Sequence, residues 1–306
     1  MKVGIGVDIG GTHITSCGVD LLSGQLIESS RFESDVDSGA SKEEILSTWA
    51  KPINESLKAL GTSVTGIGFG MPGSFNYKDG IALFSGNAKY EALYQVNVKD
   101  ELKTYLDRTI MDLRFINDAS AFAVGTAWFG KARGHTRALC LTLGTGFGSC
   151  FVERGRPVVN SETVPEHGCL WHLPFGDSIA DNYFSTRWFV SQFYQRTGEH
   201  VKGVKEMIDS AYSEVVKELF HEFGENMAAF VGPWLEKFQP GIIVVGGNIS
   251  RAWKFIGSSF DAYLAGHSLS VKVVTSGLMV DAAISGSARL NDAVFWKSVA
   301  PDLPER

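Results

Sequence analysis

Two glycine-rich turns, each lying between strand-like segments, constrain the fold of this chain more than any other feature of the sequence. The first is DIGGT at residues 8–12, and the second is TLGTGFGS at residues 142–149. Before the first turn, apolar side chains alternate at Val3, Ile5 and Val7, which is the period of a β-strand. The same strand–turn–strand unit heads each half of the 306-residue chain, which indicates an internal duplication.

Strand and helix patterns alternate along the rest of the chain. Apolar spacing predicts a helix over residues 41–60, opened by a capping box of Ser41 and Glu44. A second helix is expected to begin at Asn117–Asp118, and GIIVVGGNIS at residues 241–250 reads as a buried strand followed by a glycine turn. This alternation predicts an α/β fold.

The duplication also predicts two lobes that abut near residue 117. We expect an N-terminal lobe over residues 1–116, joined by a C-terminal helix at 290–306, and a C-terminal lobe over 117–289.

Composition excludes several classes of protein. The chain is 44% apolar and 20% charged, which is typical of a globular protein, and its net charge of -6 with no long basic run speaks against a nucleic-acid partner. No stretch reaches the roughly 18 apolar residues of a membrane-spanning helix, so no membrane partner is expected. Four scattered cysteines, the lack of a CxxC pair and the lack of a signal-peptide pattern predict reduced thiols and a cytoplasmic location.

The two glycine turns have the chemistry of phosphate-binding loops. Phosphate oxygens need several converging donors, and a glycine turn presents backbone N–H groups that no side chain covers. Each turn alone could equally be a plain hairpin turn. Neither turn is a P-loop, since GxxxxGK[ST] does not occur in the sequence, and the second lacks the helix of a dinucleotide fingerprint. Equivalent positions in both halves favour a shared anionic ligand.

Four motifs in order carry a family resemblance: DIGGT, NDASA at 117–121, TLGTGFGS, and VVGGNIS at 244–250. Together they resemble the ROK family of repressors and sugar kinases, which includes bacterial glucokinases and fructokinases. The resemblance spans residue 3 to about residue 290. It implies a duplicated, two-lobed actin-like ATPase (ribonuclease H-like) fold with a central cleft where sugar and nucleotide meet, and a homodimer.

The resemblance implies ATP as phosphoryl donor and Mg²⁺ as cofactor. Asp8 would lie near the magnesium-bound phosphates. The implied nucleotide-binding residues, including the turn behind the adenosine, are Asp8, Gly10, Gly11, Thr12, Gly144, Thr145, Gly146, Gly246 and Gly247.

Asp118 matches the catalytic base of the family. Phosphoryl transfer depends mostly on positioning and charge neutralisation, so one carboxylate within reach of the attacking sugar hydroxyl suffices as base. The alternative role is a helix N-cap, because Asn-Asp before an alanine-rich helix fits that position too. Both roles are compatible, since a carboxylate at a helix N-terminus is expected to stay ionised.

The resemblance also implies a set of sugar-binding residues. Sugar hydroxyls need side chains that both donate and accept hydrogen bonds. Implied sugar contacts are Asn87, Asn117, Asp118, Glu166 and Asp181. The alternatives are a turn-capping role for Asn87 and a solvated surface position for Glu166. Asp181 stands where the family has a Glu, whose side chain is longer by one methylene group.

The segment from Glu166 to Ser185, EHGCLWHLPFGDSIADNYFS, departs from the family pattern. Family members have a His after E-x-G and then a cysteine cluster that binds structural zinc, whereas here Cys169 replaces that His. His167, Cys169 and His172 lack a fourth partner for a tetrahedral site, so we expect no structural zinc. The aromatic residues of this segment are expected to form core or dimer contacts, with stacking on a sugar as the alternative.

The sequence therefore predicts an ATP-dependent hexose kinase with a small-molecule sugar substrate. A sugar-sensing regulator is disfavoured, because DIGGT begins at residue 8 and leaves no room before it for a DNA-binding domain. A non-catalytic sugar-binding protein and a kinase that uses polyphosphate are the remaining alternatives.

Overall fold

The structure is a computed structural model that describes residues 2–61, 64–86, 89–109, 112–278 and 280–305. The chain divides into two compact units. Unit 1 comprises residues 1–134, 155–159 and 278–306, and unit 2 comprises residues 135–154 and 160–277.

The strands and helices alternate along the chain as an α/β protein requires. The strands are Val3–Ile9 (β1), His13–Asp20 (β2), Leu26–Asp35 (β3), Val64–Met71 (β4), Phe75–Asn76 (β5), Ile81–Ala82 (β6), Leu113–Asn117 (β7), Arg137–Leu143 (β8), Phe147–Glu153 (β9), Arg156–Pro157 (β10), Pro174–Phe175 (β11), Ser178–Ile179 (β12), Ile242–Gly246 (β13) and Lys272–Thr275 (β14). The α-helices are Lys42–Leu60 (α1), Val98–Glu101 (α2), Asp118–Trp128 (α3), Ala180–Tyr183 (α4), Thr186–Thr197 (α5), Val204–Ile208 (α6), Ser213–Phe238 (α7), Trp253–Gly266 (α8), Val280–Arg289 (α9) and Ala293–Val299 (α10). Short 3₁₀ turns lie at Glu91–Leu93, Leu102–Tyr105, Glu166–Gly168, Asn248–Ala252 and Ala300–Asp302.

Unit 1 is built on a mixed sheet with the strand order β3-β2-β1-β4-β7. β1, β2 and β3 pair antiparallel, whereas β1, β4 and β7 run parallel. The carboxyl ends of the parallel strands therefore share one edge, and this edge carries Asp8 near the end of β1 and Asn117 at the end of β7.

Unit 2 repeats this arrangement with the strand order β9-β8-β13-β14. β8 and β9 pair antiparallel, and β8, β13 and β14 run parallel. The hairpin β8–β9 thus corresponds to β1–β2, and each hairpin has a glycine turn at its tip. The predicted α/β fold and its duplication are confirmed.

Helix α9 packs on the sheet of unit 1 and on α3 at unusually short range. A Cβ atom at Gly6 of β1 would lie 1.9 Å from the Ile284 carbonyl oxygen of α9, and one at Gly68 of β4 would lie 1.8 Å from the Ser287 carbonyl oxygen. A Cβ atom at Gly286 of α9 would likewise lie 1.8 Å from the Ala121 carbonyl oxygen of α3. Because only glycine permits such approach, these positions fix how α9 sits within unit 1.

The observed units differ from the predicted division at residue 117. Helix α3, which begins at Asp118, lies in unit 1, and so does α9 at 280–289. The glycine contacts explain the assignment, since they bind both helices to each other and to β1 and β4.

The cap that the sequence predicted for the first helix is present in the structure. Helix α1 begins after Ser41, whose hydroxyl accepts a hydrogen bond from the Glu44 N–H at 3.2 Å, as the capping box predicted. The segment 97–106 forms the four-residue α2 and a 3₁₀ turn. Among the described residues, no helix combines the length and apolar character needed to cross a membrane.

Candidate functional site

The first glycine turn, between β1 and β2 of unit 1, is a compact hairpin tip. The Gly10 N–H donates to the His13 carbonyl oxygen at 2.9 Å. The Tyr90 hydroxyl donates to the Gly10 carbonyl oxygen at 2.5 Å, while Thr12 is exposed. Because the carbonyl of Gly10 is held by Tyr90, the adjoining Gly11 N–H points to the opposite side of this peptide group.

Asp8 and Asp118 are neighbours at the edge where the parallel strands of unit 1 end. Asp8 is the penultimate residue of β1, and Asp118 follows β7 directly as the first residue of α3. Burial and the charge of Asp118 raise the pKa of Asp8 to about 7. Enzymes use buried carboxylates of this kind to transfer protons or to bind cations.

The residue that caps α3 is Asn117, not Asp118. The Asn117 side-chain oxygen accepts from the Ser120 N–H at 3.2 Å, and its amide group donates to Asp118 Oδ1 at 2.9 Å. Asp118 Oδ1 also accepts from the Ala119 N–H at 2.8 Å. Asp118 is therefore oriented by two donors while its second oxygen, Oδ2, takes no part in these bonds.

The electrostatic environment of Asp118 combines opposing influences. Burial raises the pKa of Asp118 above its usual value, and the bonds from Ala119 and Asn117 and the charge of Lys89 lower it. Burial is the larger influence, so the net effect is a pKa above the usual value for an aspartate. A carboxylate with a raised pKa is a better proton acceptor than an ordinary surface aspartate.

Lys89 is a residue of this site that the sequence did not reveal. A methyl group at Gly11 would lie 2.8 Å from Lys89 Nζ, so the ammonium group lies against the first glycine turn. The same charge acts on Asp118. Neither periodicity nor a motif in the sequence relates Lys89 to Gly11.

The second glycine turn, between β8 and β9 of unit 2, adjoins the turn after β13. The Gly144 N–H donates to the Gly146 carbonyl oxygen at 3.0 Å. Gly247 has a positive φ of 82° and lies so close to Leu143 that a Cβ atom would be 2.3 Å from its carbonyl oxygen. The predicted nucleotide-binding residues of unit 2, at 144–146 and 246–247, are thus adjacent.

Asp181 is in direct contact with the second glycine turn. Asp181 Oδ1 accepts from the Phe147 N–H at 2.6 Å, and its carboxylate forms an ion pair with Arg187 through Oδ2. Arg187 Nη1 donates to the Thr145 carbonyl oxygen at 2.9 Å. The predicted sugar contact of Asp181 stays a prediction, but both of its oxygens already have partners within unit 2. Arg187 was not identified from the sequence.

The other predicted sugar-binding residues differ in what the structure says of them. Asn117 is part of the Asp118 cluster, whereas the Glu166 side chain in unit 2 is 77% exposed, with His167 Nε2 at 3.5 Å. Asn87 lies outside the described residues. The sugar contacts of all three stay predictions.

The predicted absence of zinc concerns the segment around Cys169. Cys169 Sγ lies 3.7 Å from His172 Nδ1. Burial raises the pKa of the Cys169 thiol to about 11, and burial together with His167 lowers the pKa of His172, so both groups are neutral at pH 7. In the described part of the chain, no three His, Cys, Asp or Glu residues form a group able to hold a metal ion.

Aromatic side chains pack together in this region of unit 2: Phe175 contacts Phe184 and Phe230, and Trp188 is buried against Phe223.

Known proteins resemble this chain over nearly its whole length. It is 28% identical to a glucokinase of Thermotoga maritima, over 94% of this chain and 96% of that protein. An N-acetyl-D-glucosamine kinase of Haemophilus influenzae is also 28% identical, over 80% of this chain and 84% of that protein. Among solved structures, a ROK family glucokinase from Streptomyces griseus in complex with glucose and AMPPNP superimposes with a TM-score of 0.75 at 24% identity, covering 94% of this chain and 98% of that one.

These likenesses confirm the actin-like fold that the motifs predicted. The sequence profile of the ROK family matches residues 4–293, which include the glycine turns of both units, and the chain belongs to the ROK family.

Proposed function

We propose that this chain is a sugar kinase that transfers the γ-phosphoryl group of ATP to a hydroxyl of a hexose. The observation that carries this proposal is the position of Asp118: a buried carboxylate, oriented by two donors, at the sheet edge that also carries Asp8. The relatives named kinases for glucose and N-acetyl-D-glucosamine support the reaction class.

Asp118 would act as the base that accepts the proton of the attacking hydroxyl. Asn117 and the Ala119 N–H hold Asp118 Oδ1, so Oδ2 is the oxygen left to accept the proton. As the bond from sugar oxygen to phosphorus forms, the proton moves to Asp118 and ADP leaves with the electrons of the broken bond.

Mg²⁺ fits the carboxylates of unit 1. Mg²⁺ is commonly bound by one or two carboxylates together with substrate phosphates. Asp8 meets this requirement, because its raised pKa of about 7 reflects a buried charge that a cation would stabilise. When bound, the cation would neutralise charge on the transferring phosphoryl group.

The turns of unit 2 would bind the nucleotide. Backbone N–H groups at Gly144–Gly146 suit phosphate oxygens, and the neighbouring turn at Gly246–Gly247 would support the adenosine. The Streptomyces griseus enzyme, which was solved with AMPPNP, supports ATP as donor.

The sugar is proposed only as a hexose or an N-acetylated amino sugar, since relatives of both kinds match at similar identity. A homodimer in the cytoplasm completes the proposal. The four cysteines, all free thiols, are consistent with a reducing compartment.

Replacing Asp118 with Asn tests the proposed base. Asp118→Asn removes the proton acceptor but keeps a similar shape, so we expect kcat to fall by about 10²–10⁴ with sugar affinity nearly unchanged. A coupled assay for ADP release over a panel of hexoses and N-acetylhexosamines gives kcat, and calorimetry with the best sugar gives affinity.

The control is Asp261→Asn, which changes an exposed acid on α8 and should leave kcat unchanged. Full turnover by Asp118→Asn would exclude this residue as base. The wild type is assayed with ATP and with polyphosphate, and activity with polyphosphate alone would overturn the proposed donor. Sugar binding without turnover with either donor would favour a non-catalytic sugar-binding protein.

A further inference from the structure

The second glycine turn is held on one side by α4 and the beginning of α5. Asp181 of α4 accepts the Phe147 N–H at 2.6 Å, and Arg187 of α5 donates to the Thr145 carbonyl oxygen at 2.9 Å. The two side chains form an ion pair with each other. They therefore link both ends of the turn through one pair of opposite charges.

Thr186 adds a third attachment on the same segment. Its backbone N–H and its hydroxyl both donate to the Gly144 carbonyl oxygen, at 2.8 and 2.9 Å. The carbonyl groups of two consecutive turn residues, Gly144 and Thr145, are thus bound by donors of α5.

These contacts determine where the N–H groups of the turn point. In a trans peptide the carbonyl and the following N–H point in opposite directions. Because Thr186 binds the Gly144 carbonyl, the Thr145 N–H points away from α5. Because Arg187 binds the Thr145 carbonyl, the Gly146 N–H points away from α5 as well. Two amide donors are therefore presented on the side opposite the helix.

We propose that Asp181 and Arg187 are positioning residues for phosphate binding, which hold the turn at 144–146 with its N–H groups aimed at the nucleotide phosphates. This inference rests on the proposed function, because it takes the turn as a nucleotide site. It gives Asp181 a role other than the sugar contact that the family resemblance implies. The Asp181 side chain is one methylene shorter than the glutamate of the family pattern. Its two carboxylate oxygens are bound by Phe147 and Arg187.

Three variants test the proposal: Asp181→Asn, Arg187→Met and the double variant. We expect each single change to raise the KM for ATP and the Kd for AMPPNP about tenfold, the effect of losing one charge-assisted hydrogen bond. The KM for the hexose should stay at the wild-type value. Since the two residues act as one unit, the double variant should be about as impaired as the worse single variant.

Arg187→Lys and Arg196→Met are the matched comparisons. Lysine keeps the charge beside Asp181 but lacks the planar guanidinium group that also reaches Thr145. The ATP KM of Arg187→Lys should therefore lie between those of the wild type and Arg187→Met. Arg196 lies on the same helix α5 and pairs with Glu222, so Arg196→Met should leave the KM of both substrates unchanged. Circular dichroism of each variant shows whether a loss comes from unfolding.

The outcomes separate this inference from the proposed function. An active wild type whose ATP KM is unaffected in folded Asp181→Asn and Arg187→Met overturns the inference and leaves the kinase assignment intact. A rise in the hexose KM alone would restore the sugar role of Asp181 and also overturn the inference. A wild type without kinase turnover overturns the function, and AMPPNP affinity then decides: weaker binding by the variants supports the inference, and equal or no binding contradicts it.

Discussion

At the scale of single residues, the position of Asp118 follows from a local sequence motif, whereas its pKa depends on the residues that surround it in the fold. The NDASA motif predicted that a carboxylate would stand at the start of a helix, and the structure places it there. The motif did not predict that Asn117 is the cap, because either residue could occupy that position. Burial in the folded unit then raises the pKa of Asp118.

Lys89 provides a test of that proton affinity through pH. Its positive charge lowers the pKa of Asp118 against the effect of burial. In Lys89→Met this influence is lost, so the pKa of Asp118 rises further. Since the base must be unprotonated, we expect the acid limb of the kcat/KM profile for the hexose to move to higher pH.

The profile is measured between pH 5 and about 9, where a raised carboxyl pKa is observable. Lys89→Arg keeps a positive charge and should retain most of the wild-type profile. Lys58→Met alters an exposed lysine of α1 and serves as the control. An acid limb at the same pH in Lys89→Met and wild type would contradict the prediction.

At the scale of secondary-structure elements, the packing of α9 against α3 depends on glycine. A Cβ atom at Gly286 would lie 1.8 Å from the Ala121 carbonyl oxygen, so backbone, not a flexible side chain, would have to move. We expect Gly286→Ala to lower the free energy of unfolding by about 3 kcal/mol, the upper part of the usual range for overpacking. Urea unfolding followed by circular dichroism measures the change.

Gly266 offers a matched control at the end of another helix. A Cβ atom there meets no heavy atom within 4 Å, so Gly266→Ala should leave stability unchanged or raise it by up to about 1 kcal/mol. Equal urea midpoints for Gly286→Ala and wild type would show that the two helices can separate without loss.

The elements themselves were the most predictable part of the structure. Period-two and helical patterns, together with the cap at Ser41, predicted the two hairpins, the buried strand β13 and α1. The segment 97–106 is irregular, because α2 ends after four residues and continues as a 3₁₀ turn. The ion pair of Arg187 with Asp181 could not be predicted from the sequence. The course of the chain between α4 and α5 brings the two side chains together, and a helical or strand period does not describe that course.

At the scale of the whole molecule, unit 1 is assembled from both ends of the chain. α9 lies on β1 and β4 through Gly6 and Gly68, although all of unit 2 separates them in sequence. The sequence predicted that a C-terminal helix at 290–306 joins the N-terminal lobe, and the division at residue 117 stays a prediction. No pattern in the sequence states which sheet α9 covers.

A chain ended at Gly277 tests this dependence. Without α9 the apolar and glycine-lined face of the unit 1 sheet is left uncovered, so we expect β1, β4 and β7 to lose amide protection in hydrogen-exchange mass spectrometry. Strands β8 and β13 should keep theirs, since their unit ends at residue 277. A chain ended at Leu303 is the control. Full protection of β1 in the shorter chain would contradict the prediction.

The late return of the chain to unit 1 also has a consequence during synthesis on the ribosome. All of unit 2 has left the ribosome before the first residue of α9 appears. The nascent protein can therefore fold unit 2 early, whereas β1, β4 and α3 of unit 1 gain their contacts with α9 only after residue 289 has left the ribosome.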